Sequence, residues 1–323
     1  MLEAFPSILD CDAQAARRLQ WRDRAGVSPA SRAQTRLQPL TKWSRLFLFV
    51  ALLATVCSAC GRSAAPPRER VPVQRIVSLV PSLTEDLFAL GAGRRVIAVT
   101  QADNYPPSVK RLPAVASFAS VNNEAIVGLH PDLVVGIPSQ QRMTAALRAA
   151  GIRIVFLRDD LFDDIFTDIS ALGALTSREK AAANLITTLH ANTERLRRRT
   201  AGAKTKPRVL FVVNAKPTIV AGEGSFISTL LSLSGAANAI HVAQPYPVLS
   251  AEAVLSSQPD AIVTDDQTQL TALLGTPPWR SLRAVQNHLV FVLDKGHTDV
   301  VERPGPRYNE GIAWLIDRLH AVR

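Results

Sequence analysis

Apolar residues recur in short unbroken runs, separated by stretches with helical spacing or by polar turns. Arg75–Val80 (RIVSLV), Arg95–Thr100 (RVIAVT), Leu133–Val135 and Arg153–Leu157 each read as a strand buried on both faces. Ser82-Leu83-Thr84-Glu85 has capping-box spacing and predicts a helix that runs to Leu90 and stops at Gly91. A further helix is expected between the third and fourth strands. Thr176-Ser177-Arg178-Glu179 repeats the capping spacing and opens a helical stretch to about Thr200, about 36 Å long. Ala201–Pro207 ends it, and the alternation restarts. Arg208–Val213, Ala261–Thr264 and Leu289–Leu293 read as strands, Phe226–Leu233 and Tyr308–Val322 as helices. Alternating strands and helices imply parallel sheets covered on both faces.

Glu124-Ala-Ile-Val-Gly-Leu-His-Pro-Asp-Leu-Val-Val135 matches Glu252-Ala-Val-Leu-Ser-Ser-Gln-Pro-Asp-Ala-Ile-Val263 at an offset of 128 residues, and the strands opening at Arg75 and Arg208 lie 133 apart. Corresponding elements at nearly one offset predict two related lobes. The expected fold is α/β: two Rossmann-like lobes with mainly parallel sheets joined by one long interlobe helix. The lobes are residues 75–176 and 207–323, with the helix at 177–203.

The N-terminal region departs from this pattern. Leu46–Val56 (LFLFVALLATV) is apolar and uncharged, too short for a membrane span of about 20 residues but suited to the core of a secretory signal. Lys42 and Arg45 flank it, and Ser58-Ala59-Cys60 follows. This resembles a bacterial lipoprotein signal, in which Cys60 is lipidated, although Cys57 stands where Leu or Val is usual. Residues 1–60 are read as extension plus signal and 61–74 as a tether. Residues 1–39 are long for a signal, which fits a start at Leu40. Residues 1–70 hold eleven Lys/Arg against five Asp/Glu, so much of the net charge of +10 lies there. Residues 178–208 hold nine basic and two acidic residues, which reads as one basic helix face, not a nucleic-acid groove. With 47% hydrophobic and 20% charged residues the chain is not disordered, and no cysteine follows Cys60 to supply a disulfide or thiol nucleophile.

RIVSLVPSLTEDLFALGAG, the turn Asn104-Tyr105-Pro106-Pro107, both EAxxxxxPDxxV segments and Arg303-Pro304-Gly305-Pro306-Arg307 together resemble class III periplasmic substrate-binding proteins of ABC importers, most nearly the cobalamin-binding ones. The resemblance covers about residues 73–323. It implies a ligand held between rigid lobes, little hinge motion, a periplasmic or extracytoplasmic monomer, and delivery to a permease dimer with ATPase subunits. Membrane contact would come through the lipid anchor. In the family one surface glutamate per lobe docks on permease arginines; the matching residues are Glu124 and Glu252.

A planar amphipathic ligand such as a corrinoid needs aromatic faces and a few hydrogen-bonding groups. Tyr105 matches a cleft tyrosine of the cobalamin-binding proteins, and Tyr246, in Gln244-Pro245-Tyr246-Pro247, occupies a place where an aromatic often faces the ligand. Phe118 and Phe226 are expected beside the cleft. Asp294–Arg307 reads as a polar loop at a strand's C-terminal end, where open α/β sheets bind ligands. It offers Asp299 and Arg303 for ligand amides or carboxylates, and His297, like Tyr105, as a ligand for haem iron. Haem or a ferric siderophore is therefore the alternative cargo. No cofactor is expected, and no His/Asp/Glu set has metal-ligand spacing. Gly91-Ala92-Gly93 ends a helix rather than opening one, and GxxxxGK[ST] and GxSxG are absent, so no enzyme is expected. Ser225, after Gly222-Glu223-Gly224, reads as an N-cap. A lipid-anchored hydrolase built on Ser225 and His297 is the alternative of a different class.

Overall fold

The computed structural model describes residues 73–265 and 274–320. The signal, Cys60 and nearly all of the tether lie outside the described residues. Lobe one holds β1 (Ile76–Ser78), β2 (Val96–Thr100), β3 (Ala114–Ala116), β4 (Leu133–Gly136) and β5 (Ile154–Phe156), ordered β3-β2-β1-β4-β5 and parallel throughout. β1 and β4 are buried along their whole length, as unbroken apolar runs in a parallel sheet require. Its helices are α1 (Pro81–Ala89), α2 (Asn123–Gly128), α3 (Ala145–Ala149) and α4 (Asp164–Thr176). The 22-residue α5 (Glu179–Thr200), about 33 Å long, links the lobes.

Lobe two is built on β6 (Arg208–Ala215), β7 (Thr218–Val220), β8 (Ala237–Asn238), β9 (Ala261–Thr264) and β10 (Val290–Val292). β10, β9 and β6 pair in parallel. The other edge of β6 is shared by parallel β8 and antiparallel β7, the one departure from parallel pairing among the described strands. The helices are α6 (Phe226–Leu233), α7 (Ala251–Ser257), α8 (Arg283–Gln286), α9 (Lys295–Glu302) and α10 (Tyr308–His320). One continuous apolar cluster runs from Ile76 and Leu83, through Leu189 and Leu196 of α5, to Phe211 and Leu315. The lobes therefore share a core instead of meeting across a solvated hinge.

The internal repeat has a physical basis. Asn122 and Ser250 cap α2 and α7 by accepting from Ala125 N–H and Ala253 N–H. A left-handed residue follows each helix, His130 (φ 47°) after α2 and Gln258 (φ 35°) after α7. The Asp of each Pro-Asp then binds the start of its lobe's first strand: Asp132 Oδ2 accepts from Arg75 N–H, and Asp260 Oδ2 from Arg208 N–H, each at 2.9 Å.

Three local expectations are corrected. Ser82 and Glu85 do not form a capping box: α1 starts at Pro81 behind Val80, and Pro at the first helical position has no N–H to leave unsatisfied. The second box fails too. Ser177 is a left-handed residue (φ 56°) closing α4, and α5 starts after Arg178 without a side-chain cap. The segment after Asp294 is not a loop but the helix α9, capped by Asp294 accepting from Gly296 and His297 N–H. Gly91 (φ 74°) and Ser225, which caps α6 through Ser228 N–H, act as expected.

Candidate functional site

The cleft opens at the C-terminal ends of the parallel strands, where β1 lies between β2 and β4 and the chain order reverses. α1 follows β1 and carries Glu85. The turn after β2 carries Asn104 and Tyr105, and the segment after β5 carries Asp159. From lobe two, α9 and the turn into α10 bring Asp299, Glu302, Arg303 and Arg307.

These residues join across the lobes. The Glu85 side chain is 2% exposed and accepts from Arg303 Nη1 and from Arg307 Nε, the latter at 2.9 Å. Arg303 Nη2 donates to Asp299 Oδ1 (2.8 Å), and Asn104 Nδ2 donates to Asp299 Oδ2 (2.6 Å). The Arg307 guanidinium lies 3.8 Å above the centre of the Tyr105 ring. Burial opposes its charge, but Glu85, with smaller contributions from Glu310 and Tyr105, outweighs this and raises its pKa. An aromatic seam runs beneath. Phe162 of lobe one stacks on Phe226 of α6 (6.2 Å) and meets Tyr308 of α10 edge-on (4.9 Å), and Tyr308 Oη hydrogen-bonds Thr193 of α5.

The candidate ligand residues divide accordingly. Asp299 and Arg303 are part of the ionic floor. Tyr105 and Tyr246 keep 42% of their surface exposed, one on each lobe. Tyr246 titrates above its usual value through burial and the neighbouring charges of Glu302, Asp159 and Asp160, which places it by the acidic side of the floor. Phe226 is 1% exposed, so it supports the floor from within the core and offers no face to a ligand. Phe118 is fully exposed in the loop after β3. His297 binds Asp294 through Nδ1 and packs on Trp314 (5.7 Å). Ser225 is buried, and its hydroxyl is occupied in capping α6 and in donating to Gly222 C=O. Sequence spacing missed Glu85, Asn104, Asp159, Glu302 and Arg307 as parts of one assembly. Arg307 closes the motif Arg303-Pro304-Gly305-Pro306-Arg307, and Glu85 has the spacing of a cap, but the partners of both come from distant parts of the chain.

Several carboxyls around the cleft hold protons that free carboxyls would lose. Burial, then Asp265 and Asp299, raises Glu302 to about 8. Burial, then Asp164 and Asp159, raises Asp168 to about 7, and burial with Asp160 raises Asp159 to about 6. Unfolding releases these protons, so stability is fully present below about pH 4 and is lost as pH rises through 6, 7 and 8. Between about pH 4 and each of these values stability should fall by up to about 1.4 kcal/mol per pH unit per group, levelling off once the pH passes that group's folded pKa. Urea unfolding at pH 5, 7 and 9 should show a decline that is steep from 5 to 7 and shallow from 7 to 9, which Asp168→Asn and Glu302→Gln should each flatten. Stability that is level or rising over that range contradicts the assignment.

Two α/β lobes with a polar and aromatic floor between them, tied by one long helix, define a two-lobe solute-binding architecture. Residues 76–296 match the family described as Periplasmic binding protein, and the chain belongs to that family. It is similar to an uncharacterized ABC transporter substrate-binding lipoprotein of Bacillus subtilis, 31% identical over 76% of this chain and 80% of the relative. It is also 33% identical to the vitamin B12-binding protein of Vibrio cholerae, over 77% of this chain and 90% of the relative. Among solved structures, the periplasmic vitamin B12-binding protein of Vibrio cholerae superposes with TM-score 0.65 at 30% identity, covering 77% of this chain and 98% of that one. The apo periplasmic haem-binding protein of Roseiflexus sp. RS-1 does so with TM-score 0.69 at 26% identity, covering 77% and 98%. The chain is thus an extracytoplasmic substrate-binding protein of the ABC importer class, whose members work with a permease and an ATPase, and not an enzyme. The hydrolase alternative is withdrawn.

Proposed function

We propose that this protein captures cobalamin or a related corrinoid between its lobes and delivers it to an ABC permease dimer. The observation that carries the reading is the pair of half-exposed tyrosines, one per lobe, flanking a floor of Asn104, Asp299 and Arg303. The tyrosine faces suit the apolar plane of a corrin, and the floor offers donors and acceptors to its peripheral amides. The 33% identical relative named as a vitamin B12-binding protein supports the same ligand class. Phe118 lies within reach of solvent as an additional apolar contact, and Cys60 is the proposed lipid attachment. Glu124 and Glu252, both exposed in the first turns of α2 and α7, are the proposed docking carboxylates.

Haem is the second reading, supported by haem-binding structural neighbours. Its expected iron ligands are less available: Arg307 covers one face of Tyr105, and Asp294 holds Nδ1 of His297. Calorimetric titration of the chain from residue 66 with cyanocobalamin, with hemin followed by absorbance, separates the two. Tight one-to-one corrinoid binding, weakened about tenfold or more by Tyr105→Ala, is the expected result. No corrinoid heat but a shifted hemin Soret band would transfer the assignment to haem. Neither signal would leave a siderophore as the cargo class and remove Tyr105 from the site.

A further inference from the structure

Within the repeated helices, Ile126 and Val254 are 0% and 1% exposed and enter the two lobe cores. The next residues turn outward: Val127 is 40% exposed and Leu255 41%. Both belong to a short roster of large apolar side chains left exposed among the described residues. Each lies three positions after the lobe's glutamate, Glu124 or Glu252, and so shares a helix face with it. The match is not confined to sequence. Equivalent caps, left-handed helix ends and Asp-to-strand hydrogen bonds hold both helices in the same setting, so each lobe displays one carboxylate beside one aliphatic side chain. Among the described residues neither carboxylate meets a cation. Glu252 accepts from its own backbone N–H and from Ser250, which lowers its pKa and keeps it ionised.

We propose that Val127 and Leu255 are contact residues of the permease interface, each filling an apolar recess beside the cation that meets Glu124 or Glu252. This rests on the docking reading above and extends it. The partner surface must offer, twice and related by a two-fold axis, a cationic side chain next to an apolar hollow. The carboxylates give orientation and approach rate, while the aliphatic groups slow dissociation, because apolar burial does not fade with salt as exposed ion pairs do. Docking through charge alone would give an interface that salt disrupts fully.

The test is binding of the purified protein to its cognate permease–ATPase complex in nanodiscs, at low and high salt. Val127→Ser with Leu255→Ser should weaken binding about tenfold at both salt levels, chiefly through faster dissociation. Glu124→Gln with Glu252→Gln should weaken it mainly at low salt. Thermal unfolding of each variant should match the parent, since all four side chains are exposed. If the Ser pair binds within about twofold of the parent while the Gln pair is impaired, the inference is overturned and the docking reading survives. If the Ser pair is impaired and the Gln pair is not, the apolar contacts stand and the carboxylate reading falls. If neither pair matters, both are overturned.

Discussion

Glu85→Ala should cost about 3–5 kcal/mol of stability and most of the ligand affinity. Its side chain is 2% exposed, and the Arg303 and Arg307 side chains that bind it are 14% and 16% exposed. All three groups have given up most of their water. Removing the carboxylate leaves two guanidiniums in that setting, with Asp299 for Arg303 and, for Arg307, the Tyr105 ring and one long ionic contact of 3.7 Å to Glu310. The same loss frees Arg307 from its place above Tyr105 and releases the tie between α1 of lobe one and α9–α10 of lobe two. A melting-temperature drop of roughly 6–20 °C is expected for a chain of this size. Glu85→Gln, which keeps the shape and one acceptor, should fall between. Replacing Glu85, Arg303 and Arg307 together by methionine, with Asp299→Asn so that its carboxylate is not stranded without Arg303, should recover much of the stability but should not recover ligand binding. Urea unfolding and ligand titration of these variants check the two effects separately. A Glu85→Ala protein within about 1 kcal/mol of the parent would mean that the cluster does not hold the lobes together.

Glu85 also marks where sequence reading stops. Strand-and-helix alternation was legible because parallel strands buried on both faces are predominantly apolar, as in β1, β4 and β9, where the only polar residues are the terminal Ser78 and Thr264. Gly91 and Ser225 were legible because their hydrogen-bonding and backbone demands lie within a few residues. The Pro-Asp repeat exposed the two-lobe plan. The partners of Glu85 lie 218 and 222 residues away, however, and no local spacing reports on them. Its position three after a serine matched a cap equally well, and the tertiary ion pairs decided its role. α9 was hidden for a related reason. Its sequence is polar because one side faces the ionic floor and solvent, while Val300 and Val301 alone enter the core. Phe226 stood next to a glycine-rich turn and was assigned to the cleft, whereas the aromatic seam with Phe162 and Tyr308 draws it inside.

That glycine-rich turn, Gly222–Ser225, has a positional use, and Gly222→Val should displace Tyr246 and weaken ligand binding by about tenfold or more. A Cβ on Gly222 would fall well inside contact distance of the Gln244 carbonyl oxygen and 2.8 Å from that of Val242, both of them backbone atoms that cannot swing aside. The segment 242–247 is fastened along this turn. Gly222 N–H donates to Pro245 C=O and Glu223 N–H to Val242 C=O, each at 2.8 Å, and Val220 N–H donates to Pro247 C=O at 3.2 Å. Tyr246 sits between two of those anchor points, so its ring can move only if the segment moves. Adding a branched side chain forces that shift, at a cost of about 1–3 kcal/mol in stability as well. Gly128→Ala is the control, since nothing lies within 4 Å of its added Cβ and alanine favours its helix. Titration of both variants with the ligand found for the parent separates the outcomes. Parent-like affinity in Gly222→Val would mean that the segment adjusts without moving its ring, or that Tyr246 contributes no contact, and a Tyr246→Ala titration tells which. Lost affinity in Gly222→Val alone would give the glycine pair its reason: it brings one backbone close enough to another to aim the lobe-two tyrosine into the cleft.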